Sequence, residues 1–304
     1  NPVDLIIGTV PPFTAGMAAA FANMLFHIPC VLDFRDAWTH NPYLPEISPF
    51  HSRLQSCLEN FTLRRSAGVI FVNPKLEKYY LDRYPVLVSR EIVTIRNGYD
   101  PEDFINKSEA RSDANPGIFR IGIMGTVYSQ GNAPMPLLRA VAEMKKDDPT
   151  LSKRLQLVFI GKWANNFIQE IRQFNIDELI DWVSYLPHRE ALKLALQMDA
   201  QALAVQSGLP GSKNVTPGRI YEYLYLKKPI LAMCPPNSDL ADLVSECRAG
   251  EFVEYDDIPR VRGILNDWLK STDKLTSRYE FKNLQDFHRK QLAKQLLAFL
   301  SSFK

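Results

Sequence analysis

Short apolar runs that suit strands alternate with longer segments of helical spacing almost throughout the chain, and this alternation limits the fold more than any other feature. Residues 5–10 read as a strand, Pro11-Pro12 as a turn, and residues 14–26 as an Ala-rich helix. A second strand over 29–34 ends in the charged cluster Asp33-Phe34-Arg35-Asp36-Ala37-Trp38, and an aromatic-rich loop follows at 40–49. The spacing predicts a helix over 50–65 with Leu54, Cys57, Leu58 and Phe61 on its buried side. Residues 68–72 then read as a strand, 75–84 as a helix and 91–95 as a strand. Such alternation builds βαβ units, and hence a parallel sheet with helices on both faces.

Residues 97–117 break the pattern with Asn-Gly, Asp-Pro and Asn-Pro-Gly dipeptides and many charges, which places a linker at 106–117. Alternation resumes with strands at 119–124, 155–160, 182–185, 202–205, 229–234 and 251–254. Helices are expected at 134–145, 165–174, 190–198 and 258–269, and over 276–299. The expected architecture is α/β, with two Rossmann-like, doubly wound parallel-sheet domains facing across a cleft. The first spans 1–105 and the second 118–275, and a terminal helix at 276–304 packs back on the first. Ligands of such sheets bind beyond the carboxyl ends of the strands.

Composition excludes several classes. The 304 residues are 46% hydrophobic and 23% charged with a net charge of +2, and the basic residues are dispersed, which gives no nucleic-acid footprint. Cys30, Cys57, Cys234 and Cys247 are too far apart for a zinc or disulfide framework, and no apolar run reaches the roughly 18 residues of a membrane span. This points to a reducing, cytoplasmic setting. No Gly-x-Gly-x-x-Gly follows a strand, and Walker A, Gly-x-Ser-x-Gly and Asp-x-Asp are absent. The five histidines lack ligand spacing. Charge on a ligand must then be met by side chains and helix N-termini without a metal, and no cofactor is expected.

The stretch PGRIYEYLYLKKPIL, residues 217–231, fits that requirement. Pro217 suits a helix start, Ile220, Tyr223, Leu224 and Leu226 recur at helical spacing, and Lys227-Lys228-Pro229 ends the helix ahead of a buried strand. Free amides at Gly218 and the charge of Arg219 suit a diphosphate, and Glu222, one turn on, can hold two sugar hydroxyls. The alternative is a buried helix with a solvated Arg and a capping Glu. Arg35 and Asp36 at a strand end read as a ligand site or as a structural ion pair, and Gly125-Thr126 as a backbone approach to ligand or as a plain turn. The 50–65 helix, with Arg53, Arg64 and Arg65, is either core-packed or laid on an anionic membrane.

Four stretches, in order, carry a resemblance to the retaining GT-B glycosyltransferases of family 4, the group 1 nucleotide-sugar transferases of bacterial surface-polysaccharide pathways. They are Ile28-Pro29 running into DFRDAW, IRNGYDPEDF at 95–104, 119–125 with its polar loop, and 217–231. The resemblance implies that about half of a first domain of roughly 100–150 residues lies upstream. It implies Glu222 on the nucleotide ribose, and Arg219, Lys213 and the amides around Gly218 on the diphosphate. Gly125 and Thr126 then approach the donor, and Tyr185 and Leu186 lie near the base. The family's first Glu is replaced here by Asn214 and its cleft His by Arg35, whereas its neighbouring Asp is kept as Asp36. Arg35, Asp36 and Asn214 are the expected catalytic group.

The implied activity is retaining, metal-independent transfer of a hexose-type sugar from a UDP or GDP sugar to a saccharide or lipid-linked acceptor, in the cytoplasm at the inner face of the membrane. The Asn214 and Arg35 replacements keep open a sugar-nucleotide or saccharide binding protein without catalysis. A sugar-nucleotide 2-epimerase of the same fold is the other alternative.

Overall fold

The computed structural model describes residues 3–44, 47–104, 117–127 and 131–303. It divides into two compact units, one formed by residues 1–98, 210–216 and 289–304 and the other by 99–209 and 217–288. The predicted linker at 106–117 lies, except for Gly117, outside the described residues.

The first unit is a four-stranded parallel sheet in the order β1 (Ile6–Val10), β2 (Cys30–Phe34), β3 (Gly68–Phe71) and β4 (Glu91–Thr94). The crossovers are α1 (Phe13–Phe26), α2 (Pro49–Arg65) and α3 (Pro74–Arg83). Strands β2 and β3 bury almost every side chain, as central parallel strands do, so they read as continuous apolar runs. Asn73 caps α3 by accepting from the Leu76 N–H, and Ser48 caps α2 through His51. Helix α10 (Arg289–Leu300) closes this unit, its Leu292, Leu296 and Phe299 packing with Val31, Ile70 and Ile95.

Two expectations change here. The buried residues of α2 are Glu59, Thr62 and Leu63; Leu54 is 45% exposed and Cys57 is exposed. The helix is turned by Glu59, whose carboxylate accepts hydrogen bonds from the Tyr80 and Tyr84 hydroxyls and from the Thr39 hydroxyl at 2.6 Å. A buried carboxylate needs such partners, and only this rotation brings it to them. The predicted helix over 276–299 is also interrupted. Phe281 and Asn283 take positive φ angles of 51° and 60°, and Lys282 N–H donates to the Cys247 carbonyl, so continuous helix begins only at Arg289.

The second unit is a six-stranded parallel sheet ordered β10, β9, β8, β5, β6, β7. These strands are β5 (Phe119–Met124), β6 (Leu155–Ile160), β7 (Ile180–Val183), β8 (Ala200–Ala204), β9 (Ile230–Met233) and β10 (Gly250–Val253). Helices α4 (Met135–Asp147), α5 (Asn165–Arg172), α6 (His188–Leu196), α7 (Arg219–Leu226), α8 (Asp239–Glu246) and α9 (Ile258–Lys270) connect them. The sequence reading has no helix at α8; Ser238 caps it by accepting from Ala241 N–H. The strand order reverses between β5 and β8. Loops leaving these two strands diverge to opposite faces, which opens a crevice at their carboxyl ends.

The rotated face of α2 gives a stability contrast. Leu63→Ala is expected to cost about 3 kcal/mol, as for a fully buried Leu, and Leu54→Ala under about 0.5 kcal/mol. Urea unfolding of the two variants would show equal losses if Leu54 were the buried residue.

Candidate functional site

The reversal point of the second sheet is built around the last residue of β5. The Met124 N–H donates to the Tyr223 hydroxyl at 3.0 Å, and the Met124 carbonyl accepts from Nη1 of Arg219. Both donor and acceptor come from α7, so the first turn of that helix is locked to the strand end. Tyr223 is wholly buried, and burial pushes its hydroxyl up to about 12, so it stays protonated. Ile220, Tyr223, Leu224 and Leu226 are buried as the spacing predicts, although the helix starts at Arg219 rather than at Pro217.

Gly125 follows with φ +110°, and a Cβ there would fall on the Arg219 guanidinium. Glycine is thus required twice over, by conformation and by the space the arginine takes. The loop is fixed beyond it: Val127 N–H donates to the Lys162 carbonyl at 3.0 Å, and Asn132 donates to the Thr126 carbonyl at 2.9 Å. Thr126 is exposed. Residues 128–130 of the predicted polar loop lie outside the described residues.

Glu222 stands one turn into α7 with its side chain 16% exposed. Its Oε1 lies 3.4 Å from Nε2 of His188, the first residue of α6, and the same nitrogen is 3.9 Å from Oδ2 of Asp103. The closeness of His188 to Glu222 has no signal in the sequence, because the two residues meet only through the β7–α6 and β8–α7 turns. Tyr185 is 68% exposed, with Nζ of Lys162 5.3 Å from its ring centroid, and Leu186 beside it is half-buried. Gly218, the residue before α7, is exposed.

Lys213 and Asn214 form a short turn that groups with the first unit, apart from Gly218, Arg219 and Glu222. Asn73 donates to the Asn214 carbonyl at 2.8 Å. Gly211, at φ +75°, lies so close to the His40 carbonyl that a Cβ would overlap it. Lys213 is exposed and Asn214 half-buried.

In the first unit Arg35 pairs with Asp33, at 3.0 Å from Nε and 2.7 Å from Nη2, and its Nη1 donates to the Ile95 carbonyl at 3.1 Å and to Asn97 at 3.3 Å. The ion pair at this strand end is therefore Arg35 with Asp33, not Arg35 with Asp36. Asp36 instead lines a cavity of about 490 Å³ at the carboxyl ends of β1 and β2, under Pro11-Pro12 and the first turn of α1. Burial raises its carboxyl to about 6. Among the described residues no three His, Cys, Asp or Glu side chains stand together as metal ligands would, and no helix is long and apolar enough to cross a membrane.

The Asp36 carboxyl titrates higher in the folded chain than the value near 4 of an unfolded Asp. The folded state therefore holds the extra proton between roughly pH 4 and about 6, and stability is lost as pH rises through that window. Asp36→Asn should remove this slope, read as urea midpoints at a series of pH values. Parallel profiles for the two proteins would show that Asp36 titrates normally.

Residues 1–98 match the family described as the glycosyl transferase 4-like domain. No curated protein matches the chain. Among solved structures it is similar to the sucrose-phosphate synthase of Thermosynechococcus elongatus, with 15% identity over 98% of this chain and 73% of that one and a TM-score of 0.75. The Anabaena protein HepE in complex with UDP aligns at 17% identity over 98% of this chain and 79% of that one, with a TM-score of 0.69. The lipopolysaccharide outer core galactosyltransferase WaaB, in its apo form, aligns at 14% identity over 98% and 75%, with a TM-score of 0.61. At such identities structural likeness speaks to fold. The chain thus has the GT-B fold of two Rossmann-like parallel-sheet domains, and its first 98 residues match the glycosyl transferase 4-like domain.

Proposed function

We propose that the chain transfers a sugar from a nucleoside diphosphate sugar to an acceptor hydroxyl. The observation that carries this reading is the reversal point of the second sheet, where the α7 N-terminus, Arg219, Gly125 and the shielded Glu222 converge. Amides and a guanidinium at a helix start suit a diphosphate. Glu222 can accept from the two ribose hydroxyls, with His188 holding its carboxylate in place. Tyr185 offers an aromatic face to the base, and Lys162 a charge beside it. UDP is the nucleotide named for the Anabaena structure, and we take it as the first candidate here.

The finer assignments rest on the family motifs. On this reading transfer retains anomeric configuration and needs no metal. Lys213 adds charge to the diphosphate and Asn214 touches the donor sugar. Asp36 and Arg35 serve the acceptor side, Arg35 by holding the β2 end through Asp33 and Asn97. The acceptor is a saccharide or a lipid-linked hydroxyl, met on the cytoplasmic face of the membrane.

Calorimetric titration with UDP, GDP, ADP and dTDP tests the donor site. One nucleotide is expected to bind, about tenfold more weakly to Glu222→Ala, the loss expected from removing a charged hydrogen-bond acceptor. Equal binding to the variant would remove Glu222 from the site, and no binding of any of the four would sink the donor reading. Turnover of the bound donor only with acceptor present separates a transferase from an epimerase, which needs none, and from a binding protein, which shows no turnover.

A further inference from the structure

A second cavity, of about 370 Å³, lies in the first unit at the amino-terminal ends of its strands, the opposite end from the cavity that Asp36 lines. Pro29 leads into β2, Ala67 into β3 and Arg90 into β4. The remaining wall comes from the ends of two helices, Asn23 and His27 of α1 and Arg64, Arg65 and Ser66 of α2. Three arginines and a histidine thus face one space, and no carboxylate joins them; Glu91, next to Arg90 in the chain, is not part of the wall.

Arginines elsewhere on the surface are paired: Arg154, Arg248, Arg262 and Arg278 each reach a carboxylate. Among the described residues Arg64, Arg65 and Arg90 reach none. Arg64 holds only Asn60, at 3.4 Å, and the Arg65 guanidinium lies 5.9 Å from the Phe61 ring centroid. Arg90 donates from Nη2 to the Arg64 carbonyl at 2.9 Å, while its Nε is shielded from water and has no acceptor. The Ser66 and Ala67 N–H groups are already taken by the Leu63 and Cys30 carbonyls, so guanidinium groups are the donors the cavity offers.

Helix ends explain part of this charge. Each carboxyl terminus carries about half a negative charge, so α1 and α2 together offset about one of the three guanidinium groups. About two positive charges remain, on forks that grip oxyanions through paired hydrogen bonds. A carboxylate would neutralise half of that excess, whereas a phosphate monoester, at about −1.5 to −2 near pH 7, matches it.

We propose that this cavity binds the phosphate of a phosphomonoester, at a site separate from the donor crevice and independent of the glycosyl-transfer reading. The monoester is either a small soluble molecule or the headgroup of an anionic lipid, and the test separates the two. Glycerol 3-phosphate is titrated calorimetrically into the whole chain at constant ionic strength. Flotation with phosphatidylcholine vesicles, with and without phosphatidic acid, is run in parallel. Saturable one-to-one binding of glycerol 3-phosphate is expected, about tenfold weaker to Arg64→Gln and to Arg65→Gln, the loss of one charge-assisted contact. Both side chains are exposed, so both variants should fold.

Flotation that needs phosphatidic acid and is lost in the same variants, without glycerol 3-phosphate binding, would support the site and assign it to a lipid headgroup. No saturable binding in either assay, or binding that neither substitution weakens, would overturn the proposal. Binding lost in Arg219→Gln but kept in the other two variants would put the phosphate in the donor crevice and overturn it as well.

Discussion

The second unit depends on how α7 holds the end of β5. A strand end at the centre of a parallel sheet leaves a backbone N–H and carbonyl that the ladder no longer satisfies, and an unpaired buried group is costly. Here one helix supplies both partners for Met124, a phenol that accepts and a guanidinium that donates. The arrangement fixes the first turn of α7, and with it Arg219 and Glu222, to the strand next to the reversal in strand order. Gly125 makes the approach feasible, and Gly161, at φ +141°, allows the β6 loop to lie against the Gly125 carbonyl. Three adjoining loops are thus held by close backbone contact that larger residues would prevent.

The same logic appears in the first unit with a carboxylate as the hub. Glu59 is fully buried, and its carboxylate is satisfied by hydrogen bonds: two tyrosine hydroxyls and the Thr39 side chain point at it. Tyr80 passes the connection on by accepting the Trp38 N–H at 3.0 Å. The loop that walls the cavity, Trp38 and Thr39, is therefore fastened to α2 and α3 through one acidic side chain. Both tyrosine hydroxyls are pushed well above their usual range, first by burial and then by the Glu59 charge, so they remain donors.

Much of this was legible in the sequence wherever a local pattern carried it. Ile220, Tyr223 and Leu224 announce the buried face of α7, and β5, as 119–124, is written in apolar runs with its bounds. What escaped was decided by partners distant in the chain. Glu59 looks like any solvated helical Glu until Tyr80 and Tyr84 arrive, so the amphipathic pattern of α2 found Leu58, which packs on the core, but not the buried Glu59, Thr62 and Leu63. The meeting of Glu222, His188 and Asp103 depends on two separate βα turns and on the segment after Tyr99, whose ring stacks on Tyr225 at 4.5 Å. The break before α10 carries only Asn283 as a residue suited to a left-handed backbone; Phe281 accepts the same conformation because the adjoining amides bond to Cys247 and Arg248. Helix α8 did leave a signal, a Ser cap ahead of Leu240, Leu243 and Val244, but eight residues give periodicity little room.

The two units offer recognition of different polarity. In the second, a helix start, a guanidinium and a shielded carboxylate suit a ligand that is charged at one end and rich in hydroxyls at the other. In the first, the Trp38 ring stacked on Phe13 and one carboxyl raised to about 6 suit an uncharged ligand that donates a hydroxyl. The two sites therefore differ in the ligand chemistry that their residues favour.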